Sequence, residues 1–403
     1  MVIRHKYLDK LLRWVDTPVI KVITGVRRSG KSFLMKMLQE ELIRHGVDES
    51  TIININYELI SFHNIRSYKK LDAYIHENTN GKVAKTYVFI DEIQNCDGWE
   101  YALASLLAEE RYDLYVTGSN ASMLSGDLAT HIAGRYVEID VYPLTFSEYT
   151  NFVKELERSE KGMSEHFNDY LKFGGFPGLS NTVDRDESKT QYLKGIRDTV
   201  ILRDVIQRHK IRDSVVLEKV LLYLFDNVGQ IFSSKKVADY LGNIGYKASV
   251  DSITTYIKIL EDAKIIYSAP RYDIKGKKIM QRLDKHYLVD LGLRYADLGD
   301  RTNDIAQILE NVVFMELISR GYKVYVGKEG DREVDFIAEK GDERIYYQVC
   351  YLLATVEVKD REYRSLLAIK DAYPKVVLSM DTIHMGTNNG IKHMNILDFL
   401  FEQ

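Results

Sequence analysis

Gly25, Val26, Arg27, Arg28, Ser29, Gly30, Lys31 and Ser32 follow the spacing G-x-x-x-x-G-K-[ST]. Glycines at both ends let the backbone curl until successive N–H groups face an anion. Lys31 supplies a point charge for β- and γ-phosphates, and the Ser32 hydroxyl suits a Mg²⁺ ligand. A helix opening with Phe33 would turn its positive end toward the same phosphates. The chemistry implied is binding of a nucleoside triphosphate, ATP by default, with Gly25 through Phe33 as the cradle.

A second group lies at Thr86-Tyr87-Val88-Phe89-Ile90-Asp91-Glu92, an apolar run ending in two carboxylates. Asp91, at the carboxyl end of a parallel strand, is expected to hold Mg²⁺ through its water shell. Glu92 is expected to polarise an attacking water, as a general base does. A third run, Tyr112 to Asn120, ends in Thr117-Gly118-Ser119-Asn120. Ser119 or Asn120 would hydrogen-bond the γ-phosphate or the water; the alternative is a helix cap. Arg135, behind Gly134, is a candidate arginine finger or phosphate sensor, acting in its own chain or on a neighbour's site, against the ordinary alternative of a solvated arginine. Tyr7, in an amphipathic stretch over residues 2–16, contacts adenine in one reading and belongs to the core in the other.

These groups need strands that end at one edge and helices that leave from it. Val19 to Thr24 reads as a buried strand, and Phe33, Leu34, Met37, Leu38 and Leu42 form an apolar stripe at helical spacing. Strands are expected at residues 52–57, 86–92 and 112–120, with a fifth entered from a turn over residues 133–139, and helices around 68–79 and near 99–110. A chain of 403 residues implies two or three domains. Its net charge of −4 gives no overall drive toward nucleic acid, so any such contact must come from a local patch. Cys96 and Cys350 are the only cysteines. Two thiols so far apart form no metal knuckle and fit a reducing cytoplasm. No apolar run reaches membrane-spanning length, and the first residues do not read as a secretory signal, so no membrane role is expected.

Residues 151–212 read as helical with one break, Phe173-Gly174-Gly175-Phe176-Pro177-Gly178, which demands a special backbone path. Residues 213–298 have the rhythm of a winged helix, with helices from Val215, Ser233 and Ser249 and a basic turn at Lys275-Gly276-Lys277-Lys278. That segment either contacts DNA or packs on a protein. Residues 299–403 arrange a helix containing Glu310, then three strands with Asp335 in the second and Gln348-Val349-Cys350 in the third. The order matches a restriction-endonuclease core, but Gln348 and Cys350 stand where Glu and Lys would hold Mg²⁺ and activate water. No cleavage of DNA or RNA is expected.

Taken together, the chain resembles a widespread prokaryotic family of AAA-type P-loop ATPases with a C-terminal domain of unknown function. The resemblance runs through Gly25–Ser32, Asp91-Glu92-Ile93-Gln94, Thr117-Gly118-Ser119, Gly134-Arg135, Gly174-Gly175-Phe176-Pro177 and Gln348-Val349-Cys350. It implies an α/β core over residues 1–150 with a parallel sheet in the order 5-1-4-3-2, and a degenerate endonuclease-like domain over 299–403. It also implies an ATP-hydrolysing switch that couples nucleotide state to an unidentified protein partner. A DNA-binding regulator gated by ATP is the alternative, and an ATP-dependent nuclease the least favoured. Oligomeric state is left open.

Overall fold

The computed structural model describes residues 2–79, 81, 85–119, 132, 134–156, 161–182, 185–209, 211, 213–280, 283–301, 304–383 and 386–402. The chain divides into two compact units. Unit 1 is Met1–Pro143 with Asp262–Lys264, and unit 2 is Leu144–Glu261 with Ile265–Gln403.

Unit 1 runs α1 (His5–Leu12), β1 (Ile20–Thr24), α2 (Lys31–Arg44), β2 (Ile52–Asn56), α3 (Tyr68–Asn78), β3 (Thr86–Asp91), α4 (Trp99–Ala108), β4 (Tyr112–Gly118) and β5 (Tyr136–Asp140). Its sheet has the order β2-β3-β4-β1-β5 with every pairing parallel, the order expected. Every residue of β1, β3 and β4 is buried. Central parallel strands are covered on both faces and therefore read as continuous apolar runs. Alternate residues feed opposite faces. Val22, Val88, Ile90, Leu114 and Val116 pack with Leu71 and Ile75 of α3 and Leu103 and Leu106 of α4. Ile23, Phe89 and Tyr115 pack with Leu34 and Leu38 of α2 and Leu8 and Leu11 of α1.

Tyr7 belongs to that second core, 1% exposed, with its hydroxyl accepting from the Tyr142 N–H at 3.2 Å. The adenine reading for Tyr7 is therefore replaced by the packing one. A buried ion pair crosses the sheet. Lys21 of β1 is fully buried and pairs with Asp113 of β4, whose Oδ2 also accepts the Tyr115 hydroxyl at 2.7 Å and the Asp16 N–H at 2.9 Å. Burial lowers the Lys21 pKa and the Asp113 charge opposes that shift.

Unit 2 begins with α5 (Phe146–Glu155), α6 (Met163–Phe173) and α7 (Asp186–Thr199), then a π-helical stretch, Val200–Gln207. It continues with α8 (Ser214–Asp226), α9 (Ser234–Asn243), α10 (Val250–Asp262), β6 (Ile266–Ala269), β7 (Arg271–Asp273), β8 (Lys278–Ile279), β9 (Lys285–Leu288) and α11 (Leu291–Leu298). The remainder is α12 (Ile305–Ser319), β10 (Lys323–Glu329), β11 (Arg332–Lys340), β12 (Glu343–Val349), α13 (Val356–Ala368), β13 (Lys375–Ser379), β14 (Thr387–Asn388), β15 (Ile391–Asn395) and α14 (Ile396–Phe401).

The break at Gly174-Gly175 has a specific cause. Gly174 has φ +73, and a Cβ there would meet Asp290 Oδ1 at 1.8 Å; one on Gly175 would meet the Leu144 carbonyl oxygen at 2.2 Å. The buried Asp290 carboxylate accepts from Gly175 N at 2.7 Å and from Gly292 N at 2.8 Å, so it ties the turn to the start of α11. Burial raises its pKa to about 7, against the lowering effect of those two N–H groups.

The expected boundary at residues 298/299 is not a division of the fold. Strand β7 pairs parallel with β10, Arg271 opposite Val326, and joins an eight-stranded sheet ordered β14-β15-β13-β12-β11-β10-β7-β8. The hairpin read as a wing is thus an edge of the C-terminal sheet. Its turn lysines, Lys275, Lys277 and Lys278, remain exposed.

Candidate active site

The carboxyl ends of β1, β3 and β4 meet at one edge. Thr24 lies in register with Gly118, and Ile90 with Val116, so the loops after Thr24, Asp91 and Gly118 adjoin. The first of these is the phosphate loop. Gly25 has φ +145, and a Cβ on it would meet the Val141 carbonyl oxygen at 2.2 Å. Gly30, φ +100, caps α2. Arg28 also takes a left-handed backbone, φ 66. Lys31 Nζ donates to the carbonyls of Gly25 at 2.8 Å and Val26 at 3.0 Å, which folds the amine into the loop. Ser32 and Phe33 are exposed in the first turn of α2. A ring of backbone with no room for a side chain at Gly25, opening on a helix N-terminus, fits a phosphate chain.

Asp91 and Glu92 are joined through one residue of β4. The Thr117 hydroxyl donates to Asp91 Oδ1 and accepts from the Glu92 N–H at 3.0 Å. Glu92 adopts φ 56, a conformation that costs a non-glycine residue about 1 kcal/mol. Gln94 Nε2 donates to Glu92 Oε2. The signal for Thr117 was present in Thr-Gly-Ser-Asn, but the expectation passed over it for the residues after it. Ser119 is 1% exposed and its hydroxyl oxygen has no hydrogen-bond partner, so an acceptor or donor can still be added there. Asn120 lies outside the described residues. Ser29 Oγ is likewise buried without a partner inside the loop. Two orphaned hydroxyls beside the cradle fit a polar ligand with many oxygen atoms.

Two contacts were not legible in the sequence. Arg4, 4% exposed, donates from Nη1 to the carbonyls of Ser29 and Tyr142, both at 3.0 Å, and so braces the phosphate loop from below. The Thr24 hydroxyl donates to Glu138 Oε1 at 2.7 Å and accepts from Lys264 Nζ at 2.8 Å, with Asp140 also 2.8 Å from that amine. Nothing in the spacing of these residues links them.

Arg135 is a correction. Its carbonyl accepts from Ile20 N at 3.0 Å, and the next residue, Tyr136, is in register with Ile20. It therefore stands at the entry of β5, beside the start of β1, while the phosphate loop follows the end of β1. Four strand residues separate those levels by about 13 Å. Arg135 is exposed, and its Nε donates to the Ile132 carbonyl at 3.4 Å. This arginine is not part of its own chain's phosphate site.

Unit 2 holds a second group of ionisable side chains, around Asp335 of β11. The expectation found no lysine there, because Cys350 replaces it. The structure brings one from β9: Lys285 Nζ lies 2.7 Å from Glu333 Oε1 and 3.3 Å from Glu310 Oε2. Asp335 Oδ2 accepts from Val349 N at 2.7 Å, and Gln348 Nε2 donates to Glu362 at 3.1 Å. Burial raises the pKa of Asp335, reinforced by the Glu310 charge, and burial raises that of Glu310. Burial works against the charge of Lys285, yet Glu310, Asp335 and Glu333 hold its pKa above the usual lysine range. Burial pushes the Cys350 thiol up to about 12, far from a reactive thiolate. Glu357 is exposed in the first turn of α13, away from this group. Among the described residues, no three His, Cys, Asp or Glu side chains are arranged to hold a metal ion. None of the described helices is long and apolar enough to cross a membrane.

The AAA domain family matches residues 17–150, and a domain of unknown function (DUF8612) matches residues 164–304. The unknown-function domain thus lies C-terminal to the AAA domain. An uncharacterized protein of Haemophilus influenzae is 37% identical over 100% of this chain and 99% of its own length. One from Methanocaldococcus jannaschii is 31% identical over 91% of this chain and 81% of its own. Among solved structures, a Walker-type ATPase of Pyrococcus abyssi matches with TM-score 0.52 and 14% identity, over 73% of this chain and 95% of that one.

Proposed function

Because the chain carries an AAA domain and belongs to a family with members in Haemophilus influenzae and Methanocaldococcus jannaschii, we propose that it binds ATP with Mg²⁺ and hydrolyses it as a switch. The observation that carries this reading is the Thr117 hydroxyl, which fixes Asp91 and Glu92 relative to each other beside the phosphate loop.

Each residue then has a distinct task. The N–H groups of Gly25 through Phe33 receive the phosphates, and Lys31 exchanges its two loop carbonyls for phosphate oxygens. Ser32 and Asp91 would hold Mg²⁺, which neutralises charge on the phosphates and needs few protein ligands because it keeps most of its waters. Glu92 takes a proton from the attacking water, its carboxylate steered by Gln94. Ser119 offers its free hydroxyl to the γ-phosphate or to that water, a role Asn120 could share. Arg135 can serve only the nucleotide of a neighbouring copy.

The output passes to a partner protein through unit 2, whose nucleotide-dependent rearrangement is the switch. The exposed lysines at 275, 277 and 278 support a second reading, in which duplex DNA is the partner. The test is ATP turnover with and without duplex DNA, using Lys31→Ala as the control. Turnover absent from wild type and indistinguishable from that control removes the ATPase reading. DNA that changes neither turnover nor its salt dependence removes the DNA reading.

A further inference from the structure

The phosphate loop carries an arginine whose side chain has no task in the account above. Arg27 lies two residues after Gly25, and its side chain is 13% exposed. Its Nη2 donates to Glu58, and Nη1 lies 4.0 Å from Glu92 Oε2. Glu58 follows the end of β2, with its N–H held by Asn56 Oδ1 at 2.8 Å. A side chain that is charged at every accessible pH therefore sits between carboxylates from two loops, at the edge where the phosphates would enter. One of those carboxylates is the proposed base.

We infer that Arg27 is a catalytic arginine acting on the γ-phosphate of ATP bound in the same chain; the inference rests on the ATPase reading. In the step, the water oxygen bonds to the γ-phosphorus while the bond from that phosphorus to the β–γ bridging oxygen breaks. The electron pair leaves with ADP, the water's proton passes to Glu92, and inorganic phosphate results. Charge builds on the transferring oxygens, and a guanidinium fork answers it with paired donors.

The resting arrangement supplies such a fork without a neighbouring subunit. Arg27 exchanges Glu58 for phosphate oxygens while staying beside Glu92. Its pairing with a half-exposed Glu58 is a weak competitor, because an ion pair open to water contributes little. A phosphate chain, to which the fork can donate with both N–H groups, is the stronger partner. Placement within the phosphate loop also removes the need for Arg135, which stands at the other end of the sheet.

The experiment measures turnover, ADP affinity and trapping of ADP with aluminium fluoride in the full chain, for wild type, Arg27→Ala and Arg27→Lys. Arg27→Ala is expected to slow turnover by about 10³-fold or more, the lower side of what such arginines contribute. ADP affinity should stay within a few-fold of wild type, and the ADP–aluminium fluoride complex, which imitates the transferring phosphoryl group, should no longer be trapped. Arg27→Lys keeps the charge without the fork and should recover part of the turnover. If Arg27→Ala fails to fold, as judged by its thermal melt, Arg27→Lys decides alone: wild-type turnover together with wild-type trapping overturns the inference. An Arg27→Ala protein that turns over at or above the wild-type rate overturns it, as does one that loses ADP affinity in the same proportion as turnover. A wild type with no activity of its own sinks the ATPase reading instead, so the two failures are distinct.

Discussion

Unit 1 and unit 2 each gather a lysine and carboxylates around strand ends, and the two gatherings are built to opposite purposes. At the phosphate loop, Lys31 donates to the backbone carbonyls of Gly25 and Val26, while Asp91 and Glu92 are positioned by Thr117 and Gln94. Around Asp335, the lysine is spent on the carboxylates themselves: Lys285 reaches both Glu333 and Glu310. The difference teaches that residue types alone do not make a site. Backbone donors and orphaned hydroxyls invite a ligand. Charges paired among themselves in a buried setting close the place to one.

The contrast can be broken most directly at the two lysines. Lys31→Ala should abolish tight ATP binding, measured by titration with a fluorescent nucleotide, and leave thermal stability near wild type. Lys285→Ala should do the reverse, because it strands carboxylates that are buried together. Loss of one partner from a buried ion pair costs about 3–5 kcal/mol, read by denaturant unfolding, with nucleotide affinity retained. If Lys285→Ala were as stable as wild type, the closed character of that cluster would be refuted. The same closure sharpens the expectation about nucleic acid: the protein should leave DNA and RNA intact in Mg²⁺ or Mn²⁺. Cleavage that vanished in Asp335→Ala would put the two clusters in one class.

Glu92→Gln comes next in size. It should retain ATP and lower turnover by about 100-fold, the usual scale for losing a general base; a wild-type rate would remove Glu92 from the chemistry. The smallest effect concerns Asp290, a buried carboxylate that has N–H donors rather than a lysine. Its folded pKa is about 7 against an ordinary 3.8, so its contribution to stability is complete below pH of about 4. That contribution is lost as pH rises through 7. Asp290→Asn should flatten this part of the stability profile, by about 1 kcal/mol or more between pH 5 and pH 8. A profile identical to wild type would show that this carboxylate stays in one protonation state.

The same contrast explains what could be read from the sequence. Lys31 was legible because it opens a helix after a glycine loop, and Asp91 and Glu92 because they stand where a strand becomes a loop; such local patterns carry their own geometry. The parallel sheet followed from the apolar runs and its order from the family resemblance. Arg135 misled because the sequence around it shows a strand beginning, not which end of the sheet that is; only the register with Ile20 decides. Lys285 was invisible because fifty residues and several elements lie between it and Asp335. Arg4 was hidden for a similar reason, since its acceptors are main-chain carbonyls, which no side-chain pattern announces. Long-range pairings of this kind are properties of the folded chain alone.

The pairing of β7 with β10 bears on inheritance as much as on mechanics. A gene rearrangement that replaced everything after residue 298 would leave β7 with only β8 beside it and part Lys285 from Glu310 and Glu333. The product would carry an unpaired strand edge and a buried amine with no counter-charge. Such chimeras would be cleared by proteolysis before selection could test any new function. The segments on either side of that point are thus constrained to be exchanged together, and related chains should vary there by substitution rather than by shuffling.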